Sequence, residues 1–372
     1  MAIDKELVHN LRKKHGNDNI ILSLEEKGFC VSLDKDGTTR ETEARYVKDF
    51  LEIIGSSSVS WVDYIVEDLK TDAPKLASVL GFSDQLVSTL LKNERSGYED
   101  LDNEIGLLLP SIIVKGFEVN ISYLLILMRG GLLITVHTTE VKRFFRLRRY
   151  AKIFMRKIKP ALPAKDKLTM VLLRIIDENN ARNFDHLREI EENSDKVSEK
   201  LSDVKHPREE IGKDIHMMKH ALITYLNGLW ETVDVLNTLR YGDPELLSDD
   251  PKLLQRMGGL VVEVNYQIGL AEHMSEVLAS GLEVMQSIYN NQLQILNNKL
   301  ALLVAYLTVI GTAVLVPNTL ATVLGSDAFA LTKDDQWWYV SLITASTILS
   351  IVVSYWWVKS KGLLPEKPDA RE

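Results

Sequence analysis

LALLVAYLTVIGTAVLVPNTLATVL, residues Leu300 to Leu324, holds no charged side chain along its whole length, and a second apolar run, Trp337 to Val358, follows shortly after. Each exceeds the roughly 20 residues a helix needs to cross the hydrocarbon core of a bilayer. A helix in a soluble core rarely stays apolar on every side for so long, so two membrane spans are expected.

The rest of the chain has a different character. Of 372 residues 26% are charged and the net charge is -8, which describes a large aqueous body on a small membrane part, with two or three folding units. The opening MAIDKELVHNLRKKHG shows no apolar segment behind its charges, so no signal peptide is expected. The single cysteine, Cys30, leaves no internal disulfide framework and no cysteine-based zinc cluster. The acidic balance argues against nucleic acid as a partner.

Charge also orients the spans. Lys359, Lys361 and Lys367 follow the second, whereas the loop Gly325 to Gln336 carries Asp327, Asp334 and Asp335 against Lys333 alone. By the positive-inside rule both termini are expected in the cytoplasm, with the loop outside a cell membrane crossed twice. Trp337, Trp338 and Tyr339 at one end of the second span, and Tyr355, Trp356 and Trp357 at the other, suit the two interfaces.

Residues 1 to about 160 read as an α/β or α+β domain. IILSLE (Ile20–Glu25) and FCVSL (Phe29–Leu33) read as strands around a Lys-Gly turn. SVSWVDYIV, LLPSIIV, SYLLILM and GLLITVHT add further strands, with Arg129-Gly130-Gly131 as a turn, and Asp72 to Leu91 has helical spacing. The basic segment Val141–Pro160 has two readings. It is a lipid or nucleotide contact, or a solvated helix with Phe144, Phe145, Leu147, Tyr150 and Phe154 turned inward. Residues 161–250 read as a helical pair: Leu168 to Ile190 with a break near Pro207, then Ile211 to Leu236, ended by Gly242-Asp243-Pro244.

Asp249-Asp250-Pro251 then caps a helix whose apolar stripe, Leu253 to Leu300, steps by three or four into the first span. Residues 251–299 form a stalk, 300–324 the first span, 325–336 the external loop, 337–358 the second span and 359–372 a cytoplasmic tail. Unbroken to Leu324, the helix is about 110 Å long at about 1.5 Å per residue. Such a stripe needs neighbouring helices, and neighbouring subunits to supply them.

One face of this helix carries Asn290, Gln294, Asn297, Ala301, Ala305, Thr308, Thr312, Leu315 and Asn318, mostly small side chains or amide and hydroxyl oxygens. In lipid such a stripe should face protein or water. Repeated around an axis it would line a pore for hydrated cations; between two helices it would act as glue. Spacing alone leaves both open.

The layout resembles the CorA superfamily of divalent-cation channels over most of the chain. The run NNKLALLVAYLTVIGTAVLVPNTLATVLG resembles that family's first span, SWVDYIV its tryptophan–aspartate strand, and LLITVH the strand that ends its sheet. The resemblance implies a homopentamer with a cytoplasmic α+β funnel, a long stalk helix lining the pore, a second span outside it, and no cofactor beyond the transported ion, Mg2+ foremost, with Co2+, Zn2+ or Ni2+ as others. The family's Gly-Met-Asn signature reads here Gly325-Ser326-Asp327, so the ion is open. The implied path is drawn by Asp334 and Asp335, admitted at Gly325, Ser326 and Asp327, and passed down Asn318, Leu315, Thr312, Thr308, Leu307, Ala301, Asn297, Gln294 and Asn290. Leu315 and Leu307 are its apolar constrictions.

Regulatory metal candidates are Asp63, Glu67 and Asp68, then Glu99, Asp100 and Asp102, each also readable as a solvated cluster. His216 and His220 share a helix face without a third ligand. Pro317 reads as a kink with its freed carbonyl toward a pore, or as a packing irregularity. No nucleophile, phosphate loop or paired-carboxylate motif supports an enzyme. The alternatives to a divalent-cation channel are the same fold passing monovalent ions or opening under tension, and a membrane-anchored assembly without conduction. The second leaves the polar stripe unexplained.

Overall fold

The computed structural model describes residues 28–92, 95–202, 208–326 and 335–360, in two units that divide between Leu278 and Ala279. IILSLE lies outside the described residues. β1 (Gly28–Asp34) pairs with β2 (Thr39–Ala44), and Gly28 opens the strand where a turn was expected. β2 reads TRETEA, a run too polar to announce a strand, and it forms the sheet's edge.

A 3-10 turn, Val47–Phe50, leads into α1 (Leu51–Ser56) and β3 (Ser57–Val66). The helical stretch expected over Asp72–Leu91 is two helices, α2 (Leu69–Val79) and α3 (Asp84–Leu91). Gly81 breaks it at φ +86, and the Ser83 hydroxyl caps α3 by accepting from the Leu86 N–H. β4 (Gly97–Asp100), β5 (Ile105–Lys115), β6 (Glu118–Arg129) and β7 (Leu132–Thr138) complete the sheet. β6 and β7 form a tight hairpin in which Arg129 pairs with Leu132 across Gly130 and Gly131, both at positive φ.

The strand order is β2-β1-β3-β7-β6-β5-β4, with β3 and β7 parallel and every other neighbouring pair antiparallel. Helices cover both faces. α4 (Arg143–Arg156), α5 (Ala164–Asn180), α6 (Asn183–Ser202), α7 (Arg208–Tyr241) and the first turns of α8 (Pro251–Leu324) share one core with Val31, Trp61, Leu107, Ile126 and Leu133. α1, α2 and α3 share the other with Cys30, Val62, Tyr64, Leu125 and Ile134. Odd and even residues of each strand thus go to opposite layers, the period-two rule. Gly228 lets α7 approach β5 closely, since a Cβ there would stand 2.9 Å from Ile112. The expected single helix through Leu168–Ile190 divides at Ala181 and Arg182 into α5 and α6.

The Asp250 carboxylate accepts from the Lys252 N–H and caps α8 as its sequence implies, and Met257, Leu260, Val264, Ile268 and Ala271 are buried on its first turns. Farther along, Val284, Ile288, Leu293 and Leu296 are exposed in the single chain.

A charged cluster is enclosed in the first core. Asp63 is fully buried, with Arg148 Nε 2.6 Å from Oδ2, Thr135 Oγ1 donating to Oδ1 at 2.6 Å, and His137 Nε2 3.2 Å from Oδ1. The Trp61 indole N–H donates to the same Thr135 hydroxyl at 2.9 Å. Burial pushes the Asp63 carboxyl upward, but the charges of His137 and Arg148 and the hydrogen bonds outweigh it and pull the value to about 2. Its folded value lies below the ordinary one near 3.9, so its stabilisation is complete above about pH 4 and is lost as pH falls toward 2. Asp63→Asn should leave Arg148 and His137 without their anion and cost about 3–5 kcal/mol. Denaturant unfolding followed by tryptophan fluorescence checks this, and the deficit should shrink in acid.

Candidate functional site

The second unit contains an antiparallel pair of apolar helices, the last part of α8 and α9 (Gln336–Ser360). Both are long and apolar enough to cross a membrane. Ala313 and Pro317 of α8 are buried, Val309 and Ala321 are half-buried, and with Ile343, Thr347 and Ile351 of α9 they line a cleft of about 550 Å³ between the helices. Tyr339 Oη donates to the Ala321 carbonyl at 3.5 Å toward one end, and the Thr312 and Ser354 hydroxyls meet at 2.7 Å toward the other. Ala305, Ala313 and Ala321 are small enough for close approach, the usual means of helix pairing in lipid.

With about 100° between successive residues, the sequence-predicted stripe can be placed around α8. Asn290, Gln294, Asn297, Ala301, Thr308 and Leu315 lie roughly 100–160° from Ala313, away from α9. Leu307 and Leu315 are exposed, at 68% and 66%. Three members of the stripe lie toward the hairpin itself: Ala305, half-buried about 80° from Ala313, Thr312 and Asn318. Thr312 is bonded to Ser354 on one flank, and Asn318 stands at the lip of the cleft on the other. Pro317 turns into the cleft toward α9, so the irregularity it introduces lies on the packed side of α8, not the opposite one. Periodicity ranks positions around one helix but does not say where its neighbour sits, and the Thr312–Ser354 contact has no sequence signal.

The hydroxyls along α8 are tied to their own helix. Thr308 donates to the Val304 carbonyl at 2.8 Å, Thr312 to Thr308 at 2.9 Å, Thr319 to Leu315 at 2.8 Å and Thr322 to Asn318 at 2.7 Å. No hydroxyl hydrogen is then left without an acceptor in an apolar setting, and the oxygen lone pairs remain outward. At the far end the Gly325 N–H donates to the Ala321 carbonyl at 2.9 Å and the Ser326 hydroxyl to Val323 at 2.7 Å, closing the helix. Asp327 and Asp334 lie outside the described residues, whereas Asp335 is half-buried beside the start of α9.

The acidic candidates of the first unit are not assembled for a metal. Asp63 is enclosed by Arg148, Thr135 and His137, Asp68 caps α2 by accepting from the Lys70 and Thr71 N–H groups, and Glu67 is exposed. Asp100 accepts from the Tyr98 hydroxyl and the Asp102 N–H, holding the turn after β4, with Glu99 half-buried on that strand. His216 and His220 are exposed on α7. Among the described residues no three histidine, cysteine or acidic side chains are grouped to hold a metal ion.

A mixed sheet layered between helices, a helix that continues into an apolar hairpin, and a helix face of small and polar residues that α9 covers only in part define a two-span membrane protein of the transporter class. A family model described as "CorA-like Mg2+ transporter protein" matches residues 56–360, the greater part of the chain, and the chain belongs to that family. It is thus a CorA-family divalent-cation transporter and not an enzyme. Among solved structures, the complete CorA magnesium transporter from Methanocaldococcus jannaschii superposes with a TM-score of 0.66 at 17% identity, covering 92% of this chain and 100% of that one. The full-length CmaX protein gives 0.62 at 15% identity, covering 91% and 99%. The soluble domain of the M. jannaschii protein gives 0.53 at 17% identity, covering 70% and 96%. These likenesses carry the fold. No curated protein matches the chain by sequence.

Ala313→Leu should force a larger side chain into the buried seam and destabilise the hairpin by about 1–3 kcal/mol. Leu307→Ala, at an exposed position, should change hairpin stability little. Unfolding in detergent of the two variants beside the parent separates the cases.

Proposed function

We propose that the chain assembles as a homopentamer around α8 and conducts divalent cations across the cell membrane, Mg2+ foremost, with both termini in the cytoplasm. The observation that carries the reading is the part of the stripe that α9 leaves exposed. Thr308 and Leu315 are exposed beside α9 and not covered by it, and Asn290, Gln294 and Asn297 are exposed on the stretch of α8 before the hairpin contacts begin. Polar groups facing neither protein nor water are costly in hydrocarbon, so this face calls for an aqueous axis or further copies of the helix, and a ring of α8 helices supplies both. The exposed apolar residues of α8 between Ala279 and Leu300 call for the same neighbours.

The chemistry favours cations. Each threonine hydrogen goes to a backbone carbonyl, which leaves oxygen lone pairs for water and metal, and amide oxygens such as that of Asn318 add further hard donors. The C-terminal end of α8 brings the negative pole of its helix dipole to the mouth, where Gly325, Ser326 and Asp327 stand and Asp334 and Asp335 add charge. Leu315 and Leu307 are the apolar constrictions that close the path by dewetting. Asp63, Glu67 and Asp68 are not taken as a regulatory metal site, because Asp63 is already neutralised within the core.

The residues Ser326 and Asp327 favour a second reading with the same fold, in which a full charge at the mouth admits other ions, monovalent ones included. Flux into proteoliposomes distinguishes the two. The expected result is Mg2+ uptake that falls at least tenfold in Asp327→Ala, with sodium and potassium excluded. Uptake of monovalent ions alone would discard the divalent assignment, and no flux of any ion in tight vesicles would discard conduction. Leu315→Ser should raise basal flux by wetting the constriction. Cys30 is buried with its thiol pushed up to about 12, so cysteines placed at Thr308 or Leu315 can be labelled against a silent background. A cationic thiol reagent should block flux there and not at Ala313.

A further inference from the structure

The basic segment Val141–Pro160 has no place in the conduction path, and the structure gives it one of its own. It contains nine lysines and arginines and no acidic residue, in a chain whose net charge is -8. Several of these cations are used internally. Arg143 donates to the Ile112 carbonyl, Arg148 holds Asp63, and Lys152 lies 3.4 Å from Glu41. Another, Lys157, borders a pocket of about 430 Å³ between α4 with its following turn, α5 and the first turns of α8, where Arg174 and Arg256 join it from outside the segment. That volume is within the roughly 300–1,000 Å³ typical of small-molecule sites.

The pocket has two kinds of wall. Phe154, Ile158 and Met170 are apolar, and the Phe154 ring is held 6.2 Å from the Trp61 ring, so this side is fixed in advance. Tyr150 stands beside them with its ring half-exposed, where the inward-packed alternative would have buried it. The cationic wall is Lys157, Arg174 and Arg256. Arg174 shares its charge with Asp177 at 2.8 Å and Glu178 at 3.3 Å, whereas Lys157 and Arg256 are exposed and make no ion pair among the described residues.

We propose that this pocket binds a nucleoside phosphate, the base lying on Tyr150 and Phe154 and the phosphates on Lys157 and Arg256. A planar ring matches the aromatic wall, a guanidinium matches phosphate oxygens in a bidentate fork, and the ammonium adds a point charge. An acyl-chain ligand would use the apolar wall but would leave the exposed tyrosine ring without a stacking partner. The occupant ties α4 to the first turns of α8, the helix that continues into the membrane. The inference does not rest on the ion that the transporter carries.

The test is calorimetric titration of the full chain in detergent, without divalent ions, using ADP, pyrophosphate and a short-chain phosphatidic acid. The expected result is saturable ADP binding, one per chain, weakened at least tenfold in Lys157→Glu/Arg256→Glu. Tyr150→Ala should weaken ADP and leave pyrophosphate unchanged, a split that a structural defect would not produce. The altered cations are exposed, and an unchanged melting temperature of the double variant checks its fold. Absence of saturable ADP binding, ADP binding unchanged in the double variant, or binding of phosphatidic acid alone would each overturn the proposal.

Discussion

An α-helix satisfies its backbone hydrogen bonds within itself, and this property lets α8 pass from a water-soluble domain into hydrocarbon without a break. The 74 residues from Pro251 to Leu324 form one helix, and what changes along them is only what their side chains meet. The first turns bury Met257, Leu260 and Val264 against the sheet domain. The last turns bury Ala313 and Pro317 against α9. Between them the apolar positions Val284, Ile288, Leu293 and Leu296 are exposed in a single chain. Pro317 would remove a hydrogen bond and crowd a neighbour in the middle of any helix. Its placement in the seam toward α9 puts that defect where a packed partner surrounds it.

The sheet domain answers a different demand, which is to hold a charged group in a dry interior. Asp63 carries a charge at zero exposure, and two cationic or polarisable partners and one hydroxyl meet it from two elements, β7 and α4. Removing any one partner would leave the others uncompensated, so the cluster is more a clamp between sheet and helix than a source of net stability. Arg148 adds an apolar role, lying over the Phe29 and Phe145 rings at 5.8 and 5.3 Å.

The parts of this architecture that were legible in sequence are those with strong periodic or compositional signals. The two spans, the strands from SWVDYIV to LLITVH, the Gly130-Gly131 hairpin and the Asp250-Pro251 cap can all be read from residue order alone. β2 and β4 could not, because TRETEA and GYED are polar edge strands whose pairing depends on neighbours far along the chain. The divisions at Gly81 and at Ala181–Arg182 were hidden by apolar spacing that runs on across each break. Asp63 was misread for a related reason. A carboxylate beside Glu67 and Asp68 looks solvated in one dimension, and its partners Thr135, His137 and Arg148 are more than seventy residues away. For the candidate path, the helical stripe was legible as a stripe, but its two margins, Thr312 against Ser354 and Asn318 at the cleft, required the second helix in place.

On the proposed reading, the mouth and the shaft of the path make opposite demands on an ion. A ring of Asp327 carboxylates at the negative pole of five helix dipoles would concentrate cations far more strongly than neutral amides, and a site that binds tightly releases slowly. Below it the shaft offers weak donors: threonine lone pairs whose hydrogens are committed to the backbone, amide oxygens, and the methyl surfaces of Leu315 and Leu307. An ion that kept most of its water could pass such donors without losing a shell the shaft cannot replace, which favours small, strongly hydrated divalent ions over bare monovalent ones. Charge at the mouth would then govern how often an ion enters, and the leucine constrictions whether it proceeds. That division of labour explains why an acidic mouth need not abolish conduction, provided that the strong attraction is confined to a single turn at the end of α8.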